Sequence, residues 1–241
     1  MQSRSYHVAR RHGTMPRVLP DVAFDLELTH GRCVGVRLPE APGVVEALAE
    51  AALMPEERAY AATLGGVRRR TWMGGRVALR QALVREGIDA PPVLADGRGA
   101  PALPPGVAGS ISHKEDMAVA LVAREGRAKL GVDVERDAPG KLDISKKVLT
   151  DEELAEAAKL SSAERAREVL LRFSAKEAIY KALDPFVQRY VAFREVAVTP
   201  RPDGSAVVTS RLPAAEGPFV IDVQWVRCEG TILTTARVEK R

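Results

Sequence analysis

The sequence predicts an α+β fold in which each half of the chain combines helices with an antiparallel set of strands. Short segments of alternating apolar and polar residues, separated by Gly-containing turns, occur towards both ends of the chain and predict strand hairpins. Between them, Ala-, Glu- and Arg-rich segments carry apolar residues at helical spacing. With 241 residues, 46% of them hydrophobic, the chain can bury one large core or two smaller ones packed together.

The first half of the chain begins with a predicted hairpin and continues with helices. Its predicted elements are strands at 22–28 and 32–38, helices within 44–62 and at 67–83, a loop at 90–106 and a strand at 117–123. Pro55 divides the first helical segment, because proline is favoured in the first turn of a helix and disfavoured inside one. The loop is assigned from its many Pro and Gly residues, and residues 109–113 are expected to lead into the following strand.

The second half is predicted to contain a strand, then helices, then a final set of strands. Its predicted elements are a strand around 131–135, a helix opened by the capping box at 150–153, a helix at 163–183, and strands at 193–199, 206–212, 219–228 and 232–238. We expect Asp184-Pro185 to end the long helix, since the residue before a proline disfavours helical geometry. Gly-containing turns at 200–204 and 229–230 join the last strands as hairpins.

Two acidic segments carry the chemistry that the sequence suggests. Asp133 and Glu135 alternate with valines, so both carboxylates lie on one face of a strand. Glu177 is on a helix, four residues before Lys181 and on the same face as Phe173, which points it towards the interior or a cleft. Three gathered carboxylates repel each other unless a cation lies among them, and Mg²⁺ is a hard, oxygen-preferring ion that suits them. Taken singly, each segment is equally well explained by ordinary ion pairs.

Together with a third segment, these motifs resemble the signature of 4′-phosphopantetheinyl transferases of the larger, single-chain type. Gly131–Glu135 matches the form G-[VI]-D-[VI]-E, and Phe173–Lys181 matches [FW]-[SC]-x-K-E-[AS]-x-x-K some forty residues later. Upstream, Gly109–His113 is similar to the Ser-x-Ser-His segment of the family. The resemblance covers roughly residues 54 to 200. It implies a pseudo-dimer of two similar α+β halves, 1–128 and 129–241, with the active site in the cleft between them.

The resemblance implies transfer of the 4′-phosphopantetheine arm from coenzyme A to a serine of an apo acyl or peptidyl carrier protein, with release of adenosine 3′,5′-bisphosphate. It implies that Asp133, Glu135 and Glu177 hold Mg²⁺. Glu177 is expected to accept the serine proton, directly or through a metal-bound water, and Lys181 to bind a diphosphate oxygen. Lys176 is expected to bind the diphosphate or orient the pantetheine, or else to be a solvated lysine.

The resemblance also assigns ligands for coenzyme A. The expected ligands are Arg70, Arg76, Arg98, Ser112 and His113, joined from the second half by Lys176 and Lys181. Arg69 is an alternative to Arg70 on the basic helix. Arg98 is expected at the 3′-phosphate, and His113 near the diphosphate.

Charge and composition leave two other functions open. The formal net charge of +4 suits an anionic ligand such as a nucleotide, a phosphorylated cofactor, an acidic protein or nucleic acid. A metal-dependent nucleotide phosphohydrolase would need the same carboxylates and basic residues. The arginine-rich helix at 67–83 would also suit a nucleic-acid-binding module. The chain has no interleaved surface aromatics and no DNA- or RNA-binding signature, so no nucleic-acid partner is expected.

Other features of the sequence bound its environment. Cys33 and Cys228 are isolated, which argues against a disulfide framework or a zinc site. No segment has the apolar run of a signal peptide or a membrane span, so a cytoplasmic protein with no membrane partner is expected. Met1–Pro20 is expected to be loosely ordered or to form an edge strand. The resemblance implies a monomer that acts on carrier proteins of polyketide, non-ribosomal peptide, siderophore or fatty-acid synthesis.

Overall fold

The computed structural model describes residues 22–38, 40–41, 43–138 and 143–241. The expectations for Met1–Pro20 therefore lie outside the described residues. Within the part of the chain that is described, no helix is long and apolar enough to cross a membrane.

The first half of the chain forms a four-stranded antiparallel sheet covered by helices. Its strands are β1 (Val22–Leu28), β2 (Gly31–Arg37), β3 (Val107–Lys114) and β4 (Met117–Arg124), in the spatial order β1-β2-β4-β3. Its helices are α1 (Val44–Ala52), α2 (Pro55–Ala62) and α3 (Gly66–Arg85). The helix α3 packs across β2 and β4, and it buries Val77 and Leu83 in one apolar cluster with Val34 and Ala120.

The second half contains a three-stranded and a two-stranded antiparallel sheet. Its strands are β5 (Lys129–Arg136), β6 (Val196–Pro200), β7 (Ala206–Ser210), β8 (Phe219–Cys228) and β9 (Thr231–Lys240), in the orders β5-β9-β8 and β6-β7. Its helices are α4 (Ser145–Val148), α5 (Asp151–Ala157) and α6 (Ser162–Val187). The helix α6 packs across β5 and β9.

Apart from β1 in the first half and the β6–β7 hairpin in the second, the two halves share one order of elements. In each half a strand leads through helices to a hairpin, and the last strand of the hairpin inserts beside the first strand. The resulting sheets run β2-β4-β3 in the first half and β5-β9-β8 in the second. The predicted α+β fold with antiparallel sheets is confirmed, and the repeated order fits the two similar halves that the family resemblance implied.

A shared apolar core joins the two large sheets. Every second residue of β4, including Met117 and Val119, packs in a buried cluster with Val132 and Val134 of β5. The alternate residues of β4, such as Ala120, face the helices of the first half. The strand β4 is buried on both faces from Met117 to Val122, and its sequence is apolar up to Ala123, before the exposed Arg124. This packing brings β3 alongside β5, and polar side chains at the ends of those strands meet at the border of the core.

The helix α6 crosses β5 at an unusually short separation, and a glycine makes this possible. A Cβ atom built on Gly131 would lie 1.8 Å from the carbonyl oxygen of Ala178 and 3.0 Å from the amide nitrogen of Ala182. Any other residue at this position would push the helix away from the strand. The glycine of the acidic motif therefore sets the distance between the strand that carries Asp133 and the helix that carries Glu177.

Three predicted elements differ from the structure. The helix α6 continues through Pro185 to Val187, so Asp184-Pro185 does not end it; the backbone nitrogen of Gln188 still donates to the carbonyl oxygen of Asp184 in this last turn. The Ser-x-Ser-His segment forms the strand β3 itself instead of leading into a strand. The segment predicted to begin a strand at Phe193 starts with a 3₁₀ turn (Phe193–Glu195), and β6 follows it.

Candidate active site

Three carboxylates of the second half lie near one another where β5, α6 and β3 come together. Asp133 and Glu135 on β5 have exposures of 5% and 8%, and Glu177 lies on a half-buried face of α6. Ser112 of β3 donates a hydrogen bond to Asp133. Two residues further along β3, Lys114 pairs with Glu135. Both carboxylates of β5 thus face the same neighbouring strand, as their spacing predicted.

Asp133 is held on both of its carboxylate oxygens. Ser112 Oγ donates to Oδ1 at 2.9 Å, and Ser174 Oγ donates to Oδ2 at 2.8 Å. Lys181 Nζ donates to Oδ1 at 2.9 Å. The other two Lys181 donors go to Ser112 Oγ and to the carbonyl oxygen of Val132. Because hydrogen bonds to charged groups are the strong ones, this network fixes Asp133 between the two strands and α6.

The negative charges of Glu135 and Glu177 are stabilised by fewer hydrogen bonds than that of Asp133. Burial raises the pKa of Glu177, and the negative charge of Asp133 raises it further, whereas Lys181 lowers it. Burial also raises the pKa of Glu135, against the effect of its 2.8 Å ion pair with Lys114. Among the described residues, no hydrogen bond or ion pair holds the Glu177 carboxylate. Its oxygens are therefore available to a proton or to a ligand.

The carboxylate cluster has the donor chemistry of a hard-cation site. Carboxylate oxygens are preferred ligands of Mg²⁺. Burial, and to a lesser extent the charge of Asp133, raises the pKa of both Glu135 and Glu177. Among the described residues, no three His, Cys, Asp or Glu side chains are arranged so that they could hold a metal ion. In this conformation, Lys181 and Lys114 supply the positive charge instead.

A basic cleft of about 810 Å³ adjoins the carboxylate cluster at Lys181. It is lined by residues of both halves, from α2, α3, the 95–103 segment, β3 and α6. Its cationic side chains are Arg68, Arg76, Arg98, Lys129 and Lys181, and its carboxylates are Asp96 and Asp184. The volume is typical of ligand sites, and the excess of cations favours an anionic ligand.

Four of the expected coenzyme A ligands line this cleft, namely Arg76, Arg98, His113 and Lys181. Arg76 is nearly buried, with its guanidinium 4.7 Å from the centre of the Trp72 ring. Its Nε donates to the carbonyl oxygen of Val93 at 2.8 Å, and burial lowers the pKa of Arg76 to about 10. Partial burial and the charge of Lys181 lower the pKa of His113.

Two other expected ligands are occupied inside the protein. Ser112 is 7% exposed and gives its hydroxyl to Asp133. Lys176 is 3% exposed, and its Nζ donates to Glu153 at 2.6 Å and to the carbonyl oxygen of Val148 at 2.8 Å. Lys176 is therefore not available to coenzyme A in this structure, and the alternative of a solvated lysine is wrong. One residue turns a helix by about 100°, which takes Lys176 off the face that carries Glu177.

Arg68 occupies the position in the cleft that was expected for Arg70. Arg70 Nη2 donates to the carbonyl oxygen of Glu115 at the β3–β4 turn, at 3.0 Å, whereas Arg68 lines the cleft. On a helix Arg68 lies about 80° from Arg76 around the axis, and Arg70 lies about 120° from it. Helical spacing alone does not select Arg68, because Arg69 lies only about 20° from Arg76; the lining of the cleft distinguishes Arg68.

Comparison with known proteins identifies the family. The sequence profile of the 4′-phosphopantetheinyl transferase N-terminal domain matches residues 56–123, and that of the 4′-phosphopantetheinyl transferase superfamily matches residues 129–229. The chain is 34% identical over 197 residues to 4′-phosphopantetheinyl transferase Svp of Streptomyces mobaraensis, over 77% of this chain and 78% of that protein. The chain belongs to the 4′-phosphopantetheinyl transferase superfamily.

The resemblance drawn from the three motifs is confirmed, and the two matched domains place the chain with the larger, single-chain members. This 4′-phosphopantetheinyl transferase is also 32% identical to 4′-phosphopantetheinyl transferase Npt of Nocardia iowensis over 182 residues, 69% of this chain and 81% of that protein. Enterobactin synthase component D of Salmonella typhi is 32% identical over 120 residues, 49% of each chain. A holo-(acyl-carrier-protein) synthase from Bacillus anthracis aligns with a TM-score of 0.39 and 20% identity, over 46% of this chain and 96% of that one.

Proposed function

We propose that this transferase moves the 4′-phosphopantetheine arm of coenzyme A to the serine of an apo acyl or peptidyl carrier protein in a Mg²⁺-dependent reaction that releases adenosine 3′,5′-bisphosphate. The observation that carries the proposal is the convergence of Asp133, Glu135 and Glu177 beside a basic cleft, in a chain of this family. The cleft suits the phosphates of coenzyme A, and the carboxylate cluster suits the reacting diphosphate with its metal ion.

The reaction is a displacement at the β-phosphorus of the diphosphate. A bond forms between the serine Oγ and this phosphorus, and the bond from the phosphorus to the bridging oxygen of the nucleotide breaks. Glu177 takes the serine proton, since its carboxylate has free acceptor oxygens and a pKa raised by burial and by Asp133. Asp133, Glu135 and Glu177 are the residues that would hold Mg²⁺, which would neutralise the charge of the diphosphate when bound.

The positive charges of the cleft orient the donor. Arg68, Arg76 and Arg98 line the part of the cleft that belongs to the first half, and Lys181 and His113 lie towards the carboxylates. Positioning and charge neutralisation account for most of the catalysis in phosphoryl transfer, so the enzyme needs little covalent chemistry of its own. In this structure the ammonium group of Lys181 donates hydrogen bonds to Asp133, to Ser112 and to the carbonyl oxygen of Val132. A diphosphate oxygen would replace one of these three acceptors.

We further propose that residues 1–128 contribute mainly to binding coenzyme A and that residues 129–241 contribute mainly the metal-binding and catalytic groups. The first half supplies the arginines and His113, and the second supplies the carboxylates and Lys181. One chain then builds the whole cleft, which supports a monomer. Carrier domains of polyketide, non-ribosomal peptide, siderophore and fatty-acid synthesis are the proposed partners, and a cytoplasmic location follows from the use of coenzyme A as donor.

The intact mass of a purified apo carrier protein tests the proposed function directly. After incubation with the enzyme, coenzyme A and Mg²⁺, the carrier should gain the mass of one phosphopantetheine, and EDTA should prevent the gain. Several carriers of different classes should be tried. Turnover of coenzyme A without any carrier would instead favour a nucleotide phosphohydrolase.

Single substitutions then test the assigned roles. Asp133→Ala and Glu177→Ala should each abolish carrier modification, whereas Glu46→Ala should not, since Glu46 is an exposed carboxylate on α1 of the other half. A Glu177→Ala enzyme that modifies the carrier at close to the wild-type rate would remove Glu177 from the mechanism.

A further inference from the structure

Arg98 and Asp184 form a bidentate ion pair across the cleft. Arg98 Nε donates to Asp184 Oδ2 at 2.7 Å, and Arg98 Nη2 donates to Oδ1 at 2.5 Å. Arg98 belongs to the loop between α3 and β3, and Asp184 lies in the last turns of α6, so the pair ties the loop of one half to the helix of the other. Both residues line the cleft, with their side chains 41% and 15% exposed.

The loop holds Arg98 in a turn of its own. Asp96 Oδ1 accepts hydrogen bonds from the backbone nitrogens of Arg98 at 2.8 Å and Ala100 at 3.0 Å. Turns of this kind fix the backbone locally, without help from the rest of the protein. The guanidinium of Arg98 can therefore exchange one ion-pair partner for another while the backbone of the loop tip keeps its conformation.

Asp184 is a negatively charged residue in a cleft whose charged lining is mostly cationic. Two of the side chains that line the cleft are carboxylates, and one of them, Asp96, is engaged by the loop backbone. Asp184 is thus the remaining carboxylate in a cleft with five cationic side chains. A negative charge at this position opposes the binding of an anionic ligand, unless a cation is paired with it.

The position of the pair along α6 indicates which part of the ligand it meets. Asp184 follows Glu177 by seven residues on the same helix, two turns or about 10.5 Å along the axis. That distance is comparable with the length of a nucleoside diphosphate. With the reacting diphosphate at Glu177, Arg98 therefore stands near the nucleoside end of the donor.

We propose that Asp184 is a displaceable counter-ion. In the empty cleft it holds Arg98 and closes the loop against α6, and the 3′-phosphate of coenzyme A takes the guanidinium from it on binding. This inference rests on the proposed function. It makes Asp184 a positioning residue that weakens the binding of 3′-phosphorylated nucleotides, both the donor and the released bisphosphate.

Binding of two nucleotides to Asp184→Asn and wild-type enzyme tests the exchange. Adenosine 3′,5′-bisphosphate carries the 3′-phosphate and adenosine 5′-monophosphate does not, and both can be titrated calorimetrically in EDTA. Asp184→Asn should bind the bisphosphate more tightly, by up to about fivefold, the ceiling expected for a partly exposed ion pair. Its affinity for the monophosphate should stay within the error of the measurement.

Three controls make the result specific. Asp89→Asn removes an exposed carboxylate of the first half and should change neither affinity. In an Arg98→Ala background, Asp184→Asn should no longer favour the bisphosphate over the monophosphate, because the carboxylate and the 3′-phosphate then have no guanidinium to compete for; the remaining charge effect should be equal for both nucleotides. In the carrier assay, Asp184→Asn should lower the KM for coenzyme A and leave the KM for dephospho-coenzyme A unchanged.

The opposing outcomes are distinct. Unchanged or weaker binding of the bisphosphate by Asp184→Asn would overturn the proposed exchange of Arg98 between Asp184 and the 3′-phosphate. Weaker binding would mean instead that Asp184 orients Arg98 for the ligand. Equal tightening for both nucleotides would also overturn it, in favour of a general charge effect. Failure of the wild-type enzyme to bind either nucleotide or to modify any carrier would overturn the proposed function itself, and this inference with it.

Discussion

Replacing Gly131 with alanine tests whether the spacing of α6 and β5 sets the geometry of the carboxylate cluster. The new Cβ would lie 1.8 Å from the carbonyl oxygen of Ala178, and an ordinary contact begins at 3.4 Å, so the helix must recede by about 1.6 Å. The obstacle is helix backbone in the middle of α6, which cannot rotate away as a side chain can. Glu177, the neighbour of Ala178, would move with the helix relative to Asp133.

The expected effects are large on both stability and activity. Overpacking a core costs about 1–3 kcal/mol, and a backbone obstacle belongs at the upper end of that range, so we expect the free energy of unfolding to fall by about 3 kcal/mol. A misplacement of about 1 Å in an active site can cost about 100-fold in rate. We therefore expect kcat for carrier modification to fall by about 100-fold or more in the fraction that is folded.

Urea denaturation and the intact-mass assay measure the two effects on the same preparation. Gly126→Ala is the matched control, since Gly126 lies in an exposed turn and its added Cβ would meet no atom within 4 Å. That control should unfold within about 0.5 kcal/mol of wild type and keep its activity. A Gly131→Ala enzyme with wild-type stability and turnover would refute the role given to the close approach.

Three further predictions concern charged residues of the cluster and the cleft. Lys176→Met should lower the free energy of unfolding in urea by about 1–3 kcal/mol, because it leaves the buried Glu153 with Arg172 at 3.7 Å as its remaining cation, and should not raise the KM for coenzyme A. Glu177→Gln should abolish transfer. It should also raise the free energy of unfolding of the metal-free protein at pH 8, because the raised pKa of Glu177 means that its charged form is less stable in the folded protein than in the unfolded chain. This gain in stability should shrink as the pH falls through the folded pKa towards 4.5, where the carboxyl of the wild-type protein becomes neutral. Arg68→Ala should raise the KM for coenzyme A by about tenfold or more, whereas Arg70→Ala should leave it near wild type.

Each of these predictions has a contrary result that would count against it. A stable Lys176→Met enzyme with a raised KM would return Lys176 to the ligand site. A Glu177→Gln enzyme whose metal-free stability falls at high pH would mean that the carboxylate is stabilised in the fold. A KM effect confined to Arg70→Ala would restore the assignment made from the sequence.

The spacing of residues in the sequence was sufficient to predict those features of the structure that depend on neighbours along the chain. Strand alternation put Asp133 and Glu135 on one face, and helical spacing put Glu177 on the half-buried face of α6. The capping box at Thr150 and the helix start at Pro55 also follow from a few adjacent residues. Most element positions were predicted within a few residues for the same reason.

Features that depend on distant parts of the chain could not be predicted in this way. Spacing alone does not say which face of a helix meets a cleft, so Lys176 and Arg70 were assigned to coenzyme A although both are engaged elsewhere. The resemblance named the residue types at the site, and it could not show which of two nearby arginines points inward.

The sequence by itself therefore determined the α+β class, the family and the common strand face of Asp133 and Glu135, because each of these depends on short motifs and local periodicity. The tertiary structure alone decided that Ser112 and Lys181 hold Asp133, and that Arg98 crosses the cleft to Asp184, 86 residues away. Those contacts arise from the packing of one sheet on the other and of α6 on β5. Such packing is a property of the whole buried core, and no local pattern encodes it.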